Sequence, residues 1–180
     1  GYLQKYLALT DPGMYELNKT LKLQYIGGKL HVQLYEGIGY HRLLKEIRDT
    51  GFDLPTEDEW EYLCGGGART LWRWGDSYDY DMAVPYFEIE TAEAGWNISN
   101  PNQFGLAIAS DPYRYEVVSG ENVILKGGDG GENLCGGMGL TLGFLPVATY
   151  YKGYGPSDDE LWYMEDIGGD YTSYRRIIRL

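Results

Sequence analysis

Histidine and cysteine are nearly missing from this chain, with two of each among 180 residues. At most one disulfide can form, and a soft or imidazole-rich metal site has few ligands to draw on. Clustered positive charge is missing too. Fifteen basic residues face 27 acidic ones for a net charge of -12, and they form no patch of the kind that tracks phosphates, which argues against nucleic acid and anionic membrane as partners. No apolar run approaches the roughly 18 residues that cross a bilayer, and no signal peptide is visible. The chain opens on Gly1 rather than methionine, so an upstream segment removed by processing is compatible with the sequence and the compartment stays open.

What is abundant is glycine, 26 residues, and tyrosine, 18 residues, on a background that is 43% hydrophobic and 23% charged. This is a globular composition, weighted toward turns and aromatic-packed loops rather than long helices. The length suits one domain that buries roughly 70% of the surface of its unfolded chain. The acidity reads first as a solubility feature of the surface.

The pivot of the sequence is Leu54-Pro55-Thr56-Glu57-Asp58-Glu59-Trp60-Glu61-Tyr62. Thr56 and Glu59 have the spacing of a capping box, in which each side chain accepts from the other residue's amide, so a helix begins at Thr56. Pro55 presses Leu54 toward an extended conformation just before it. Trp60, Leu63 and Cys64 then share an apolar face, which leaves Glu57, Asp58 and Glu61 for solvent and the helix dipole. Gly65-Gly66-Gly67 stops the helix, with Gly65 expected as the left-handed cap. Because Cys64 lies on the apolar face, buried thiols are expected for the cysteines.

Upstream, Tyr2, Leu3, Tyr6, Leu7 and Leu9 have the spacing of a short helix that stops at Asp11-Pro12-Gly13, a packed N-terminal element or a docking arm within residues 1–20. Leu21-Lys22-Leu23-Gln24-Tyr25-Ile26 and Leu30-His31-Val32-Gln33-Leu34-Tyr35 flank Gly27-Gly28 as a β-hairpin, with Leu30, Val32 and Leu34 on its half-buried face. Leu43, Leu44 and Ile47 predict a helix over residues 40–50 capped by Gly51. Downstream of the pivot, strands are expected at 71–74, 113–118 and 122–126. Residues 85–103 read as irregular chain pinned by Trp96 and Phe104, 127–139 as a glycine-rich loop, and 141–151 as extended. Ser157 and Glu160 have capping-box spacing, and Ile177 and Ile178 are placed on a final strand that closes the core.

The pivot resembles the signature of the formylglycine-generating-enzyme superfamily, the sulfatase-modifying factors: a Leu-Pro-Thr-Glu-x-Glu-Trp-Glu run, a glycine-rich turn and a Trp-Gly-Asp, here residues 54–61, 65–67 and 74–76. Asn102-Gln103-Phe104-Gly105-Leu106 looks like the Asn-x-Phe-Gly-Leu element of that family. The run VILKGG at 123–128 resembles its Val-x-Arg-Gly-Gly strand, and Tyr174-Arg175-Arg176 is loosely similar to its Gly-Phe-Arg ending. These blocks keep family order over residues 40–180. The resemblance implies an α+β fold of the C-type-lectin type, with two short helices, small antiparallel sheets and extensive irregular loops.

The positions where that family keeps its metals have changed. Its oxidases hold copper(I) with two closely spaced cysteines after the Gly-Gly strand, whereas Cys135 stands alone in this region. Related sulfoxide synthases bind iron with closely spaced histidines, while His31 and His41 fall on separate elements and read as surface or structural residues. At the calcium segment, Asp111-Pro112-Tyr113-Arg114-Tyr115-Glu116, proline replaces the expected asparagine and offers no side-chain oxygen. No nucleophile elbow and no phosphate loop is present, and carboxylate pairs such as Asp158 with Glu160 are expected by chance among so many acids.

The sequence therefore predicts a non-catalytic binding domain, with no cofactor, no metal and no catalytic residue assigned. Its ligand is expected to be a protein or small molecule, recognised by aromatic residues of the C-terminal loops: Tyr150, Tyr151, Tyr154, Trp162 and Tyr163. The alternative for each tyrosine is plain packing with its hydroxyl at the surface. Proteins of this superfamily's fold include the variable binding proteins of diversity-generating retroelements, and phage or surface receptor binding fits the same physics. The competing enzyme reading is a copper-dependent oxidase acting on a peptidyl cysteine, with Cys135 as the surviving ligand. A third reading is a structural subunit docked by residues 1–20.

Overall fold

The computed structural model describes residues 14–17, 21–26, 29–34, 36–78, 97–152, 166–167 and 171–180. The chain divides into two compact units, Gly1–Gly37 and Ile38–Leu180.

The first unit contains a three-stranded antiparallel sheet in the order β1-β2-β3, formed by β1 (Met14–Leu17), β2 (Leu21–Ile26) and β3 (Lys29–Leu34). The expected hairpin is β2–β3, and Ile26 opposite Lys29 leaves room for the two glycines between them. Strand β1 is an addition that the sequence reading missed, and the helix expected over residues 2–9 lies outside the described residues. In β3 every position except Leu30 is exposed, so its expected half-burial is not met.

In the second unit a small sheet is packed on both faces. Strands β4 (Tyr115–Val118), β5 (Ile124–Lys126) and β6 (Thr172–Ser173) take the order β5-β4-β6, with β5 antiparallel and β6 parallel to β4. Successive residues of a strand point to opposite faces, so the adjacent Val117 and Val118, both fully buried, enter different cores. Val117 meets Tyr40, Leu43, Leu44 and Ile47 of helix α1 (Tyr40–Asp49), together with Leu54, Val123 and Ile167. Val118 meets Trp60 and Cys64 of helix α2 (Glu57–Gly65), together with Trp72, Ile98, Ile108, Phe144 and Val147. The polar side of α1 carries the ion pairs Arg42–Glu46 and Lys45–Asp49, one helical turn apart. The result is a small α+β protein with few helices and small sheets.

Four local expectations are corrected. Residues 71–74 form a tight turn rather than a strand, because Trp72 and Gly75 exchange both backbone hydrogen bonds (3.0 and 3.1 Å) and close the chain on itself. Residues 141–151 are not extended. Helix α3 (Glu132–Cys135) is followed by α4 (Gly139–Gly143) and a 3₁₀ turn, Leu145–Val147, in which Pro146 takes a first-turn position that needs no amide donor. The last strand is β6, while Ile177 makes only an isolated bridge to Asp53 and Ile178 is exposed. The left-handed cap of α2 falls on Gly66 (φ 59°), one residue later than expected, because Gly65 still fits inside the helix against Thr149. The expected capping box at Ser157 and Glu160, and Trp96, lie outside the described residues.

Candidate functional site

Helix α2 is fixed at both ends by residues of the sequence motifs. At its start the capping box forms as expected: the Thr56 hydroxyl accepts from the Glu59 amide (3.3 Å) and the Glu59 carboxylate accepts from the Thr56 amide (2.8 Å). At its end all four terminal carbonyls are satisfied. Those of Tyr62 and Gly65 accept from the amides of Gly66 and Ala68, and those of Leu63 and Cys64 accept from the Asn102 side-chain amide at 2.6 and 3.1 Å. The Asn102 oxygen in turn accepts from the amides of Phe104 and Leu106, which folds the Asn-x-Phe-Gly-Leu turn around it. Asn102, with the buried Ile98, is what pins this irregular stretch; Phe104 was expected to do so, but it is 44% exposed.

Two charged residues tie α2 to the sheet. Glu116 of β4 accepts from the Trp60 indole (3.0 Å) and takes a two-pronged grip from Arg175 (2.6 Å to each oxygen). Lys126 of β5 is buried, and its ammonium donates to Glu61 (2.7 Å), Glu57 (3.4 Å) and the Tyr151 carbonyl (2.7 Å) over the Trp60 ring. Glu57 and Glu61 are therefore not left to solvent as the helix pattern suggests. After Lys126 the chain must pass very close to its neighbours, since a Cβ on Gly128 would sit 2.3 Å from the Arg114 carbonyl oxygen. Only glycine fits there.

The outer face of α2 borders an open hollow of about 390 Å³ lined by Asp58, Glu59, Tyr62, Leu63, Ile177, Ile178 and Arg179. Its walls are apolar: Tyr62 and Ile178 are 66% and 59% exposed, and the Tyr62 ring lies 5.3 Å from that of Phe104. Arg179 forms one rim, bonded to both oxygens of Glu59, to Asp53 and to the Leu54 carbonyl. The hydrogen bonds from Arg179 and from the Thr56 amide hold the Glu59 carboxyl down at about 2. Asp53 is lowered as well, because its bonds to Arg48, the Leu54 amide and Arg179 outweigh the opposing effect of partial burial. Such a hollow can accept an apolar group beside a fixed arginine–carboxylate rim. Sequence reasoning missed it by treating the outer face of α2 as uniformly acidic; the signal was Tyr62, a large aromatic among glutamates.

Of the residues expected to contact a ligand, Tyr150 is 55% exposed and Tyr151 is half-buried against the Trp60 core. Tyr154, Trp162 and Tyr163 lie outside the described residues. Lys152 meets Glu57 at 3.5 Å, so the 150–152 segment borders the side of α2 that carries Glu57 and Glu61, and the hollow borders the side that carries Asp58 and Tyr62.

The two thiols occupy unlike surroundings. Cys64 is fully buried beside Thr149, and burial pushes its thiol up to about 11. Cys135 is exposed, contrary to expectation, because α3 is a single turn with no buried face; its sulfur lies 3.7 Å from the Tyr113 hydroxyl. A copper(I) site needs two thiolates turned toward one position, whereas Cys64 is packed inside the α2 core and Cys135 stands on an exposed turn. The calcium segment fits no better. Asp111 Oδ1 accepts from the Tyr113 amide and Oδ2 faces Arg114 at 3.5 Å, so both oxygens are engaged in shaping the turn. His31 and His41 are exposed. Among the described residues no three His, Cys, Asp or Glu side chains come together as a metal site, and no helix is long and apolar enough to cross a membrane.

Comparison with protein-family models, with curated proteins and with solved structures gives no match for this chain.

Proposed function

We propose that this chain is a divergent, non-catalytic member of the formylglycine-generating-enzyme superfamily with a C-type-lectin-like fold, and that it recognises a protein or small-molecule ligand through its loop-rich surface. The observation that carries this reading is the division of labour among the motif residues. Thr56, Glu59, Trp60, Asn102, Lys126 and Arg175 all engage one another's elements to build the frame around α2. The two thiols, by contrast, are split between the buried core beside α2 and an exposed turn. A frame can persist where a catalytic site has not. The contact surface in this reading is Tyr150 on one side of α2 and, on the other, the hollow walled by Tyr62 and Ile178 with the Phe104 ring beside Tyr62, where large apolar area is presented at low conformational cost.

The test is an anaerobic copper(I) titration of the full chain against a chromogenic chelator, followed by aerobic incubation of the copper-treated protein with a cysteine-containing peptide. The expected result is no stoichiometric high-affinity site and no aldehyde in the peptide. Tight one-to-one binding that disappears in Cys135→Ser, or aldehyde formation, overturns the proposal and makes the protein a copper oxidase.

A further inference from the structure

The hollow on the outer face of α2 is built entirely within the second unit, from α2 itself and from Ile177, Ile178 and Arg179. Its volume of about 390 Å³ lies toward the lower end of the roughly 300–1,000 Å³ of small-ligand pockets. Leu63 and Ile177 are half-buried in it, and Tyr62 and Ile178 are its exposed walls. The charges around it are unevenly committed. All three guanidinium nitrogens of Arg179 already donate, to both oxygens of Glu59, to Asp53 and to the Leu54 carbonyl, so no forked pair of donors remains for an incoming carboxylate or phosphate. Asp58 is the reverse case. Its carboxylate is exposed and makes no hydrogen bond or ion pair among the described residues. Glu59 and Arg179 neutralise each other, so the one uncompensated charge of the lining is negative. Asp58 lies one helical turn before Tyr62, and the two side chains therefore share a face of α2. The Phe104 ring continues the aromatic surface 5.3 Å from that of Tyr62.

We infer that the hollow receives an arginine side chain of a partner polypeptide, with a neighbouring aliphatic residue of that partner seated against Leu63, Ile177 and Ile178. This rests on the proposal that the chain is a binding domain, and it names the chemistry of the partner. A guanidinium is planar and weakly hydrated, so it lies flat on the Tyr62 ring while its edge donates to the Asp58 carboxylate and its methylene stem covers apolar wall. Lysine, a compact and strongly hydrated charge, fits that stacked position less well. An anionic group in the same place meets Asp58 and finds Arg179 already occupied. A purely apolar group strips water from Asp58 and gives it no partner in return. The net charge of -12 adds a longer-range pull on a basic partner, one that weakens as salt rises.

Amide NMR spectra of the isotope-labelled full chain, titrated into the millimolar range with end-blocked Leu-Arg-Leu and Leu-Glu-Leu tripeptides, test this. Leu-Arg-Leu is expected to shift the amides of Asp58, Tyr62, Leu63 and Ile178 saturably, with Leu-Glu-Leu roughly tenfold weaker. Asp58→Asn is expected to weaken Leu-Arg-Leu by about two- to fivefold, and Tyr62→Ala by about tenfold. Asp58→Arg is expected to reverse the order of the two tripeptides. Both positions are exposed, so each variant should keep the wild-type spectrum away from the hollow. No saturable shift with Leu-Arg-Leu, equal binding of the two tripeptides, or an affinity unchanged in Asp58→Asn each overturns the inference. Saturable binding of Leu-Glu-Leu in preference overturns it as well, while leaving the binding-domain proposal standing. That proposal falls separately, on the copper titration, which neither tripeptide enters.

Discussion

Replacing Lys126 by methionine keeps the length of the side chain and removes its charge. Lys126 is 2% exposed, and its ammonium is shared by Glu61, Glu57 and the Tyr151 carbonyl. Removing one partner of a buried ion pair typically costs about 3–5 kcal/mol, because the partner left behind is an uncompensated charge. The carboxylates here retain some solvent, with side chains 14% and 24% exposed, so the lower end applies and the expected loss is about 3 kcal/mol. For a chain of this size that corresponds to a fall in melting temperature of about 6–12 °C. Glu61→Gln leaves Lys126 with Glu57 and the carbonyl, and it is expected to cost about 1–2 kcal/mol. The double variant is expected to be milder than the sum by about 1.5 kcal/mol, since Lys126→Met no longer strands a charge at position 61. Urea unfolding of the four proteins, followed by tryptophan fluorescence, measures every term. A loss below about 1 kcal/mol for Lys126→Met, with no coupling to Glu61→Gln, would refute the claim that a buried ammonium ties β5 to α2.

Two further outcomes are expected. An aromatic disulfide reagent at mild alkaline pH should titrate Cys135 at once and Cys64 only after denaturation, because a thiol at about 11 leaves about one part in a thousand as thiolate and is sealed from reagent besides; two fast thiols would contradict the assigned burial. Glu59 is more acidic folded than unfolded, so its contribution to stability is complete above the ordinary glutamate range and is lost as pH falls toward about 2. Because the Arg179–Glu59 pair is 43% and 37% exposed, that contribution is below about 1 kcal/mol, and Glu59→Gln should flatten the acid limb of stability measured from neutral pH downward; a steeper limb in the variant would reverse the assigned sign.

The elements legible in the sequence are those whose residues talk to near neighbours. The capping box of α2 needs only Thr56 and Glu59, the α1 stripe needs only Leu43, Leu44 and Ile47, and the β2–β3 hairpin needs only alternation around two glycines. Each of these signals fits within one or two turns of chain, where local physics decides. Residues 141–151 defeat a local reading for the opposite reason. A run of leucine, glycine and valine is compatible with either period, and Phe144 and Val147 are decided by burial against Trp60 and Trp72, contacts from far away in sequence. The same holds for 71–74, where aromatic content suggests a strand but Trp72 must turn back so that its indole can donate to the Phe144 carbonyl.

The candidate site shows where pattern reading stops. A helical wheel sorts Glu57 and Glu61 as solvent-facing from their charge alone, and only the arrival of Lys126 from a strand more than sixty residues away turns them into interior partners. Asn102 reads as one turn former among several, because nothing near it reveals that two helix carbonyls are waiting for its amide. Lys126 and Asn102 lie in the blocks that resemble Val-x-Arg-Gly-Gly and Asn-x-Phe-Gly-Leu. Motif residues that serve long-range hydrogen bonding carry no periodic signal, so they surface only as fixed letters. Tyr62 of α2 and Ile178 near the C-terminal end are more than a hundred residues apart, and only the fold brings them together as walls of one hollow.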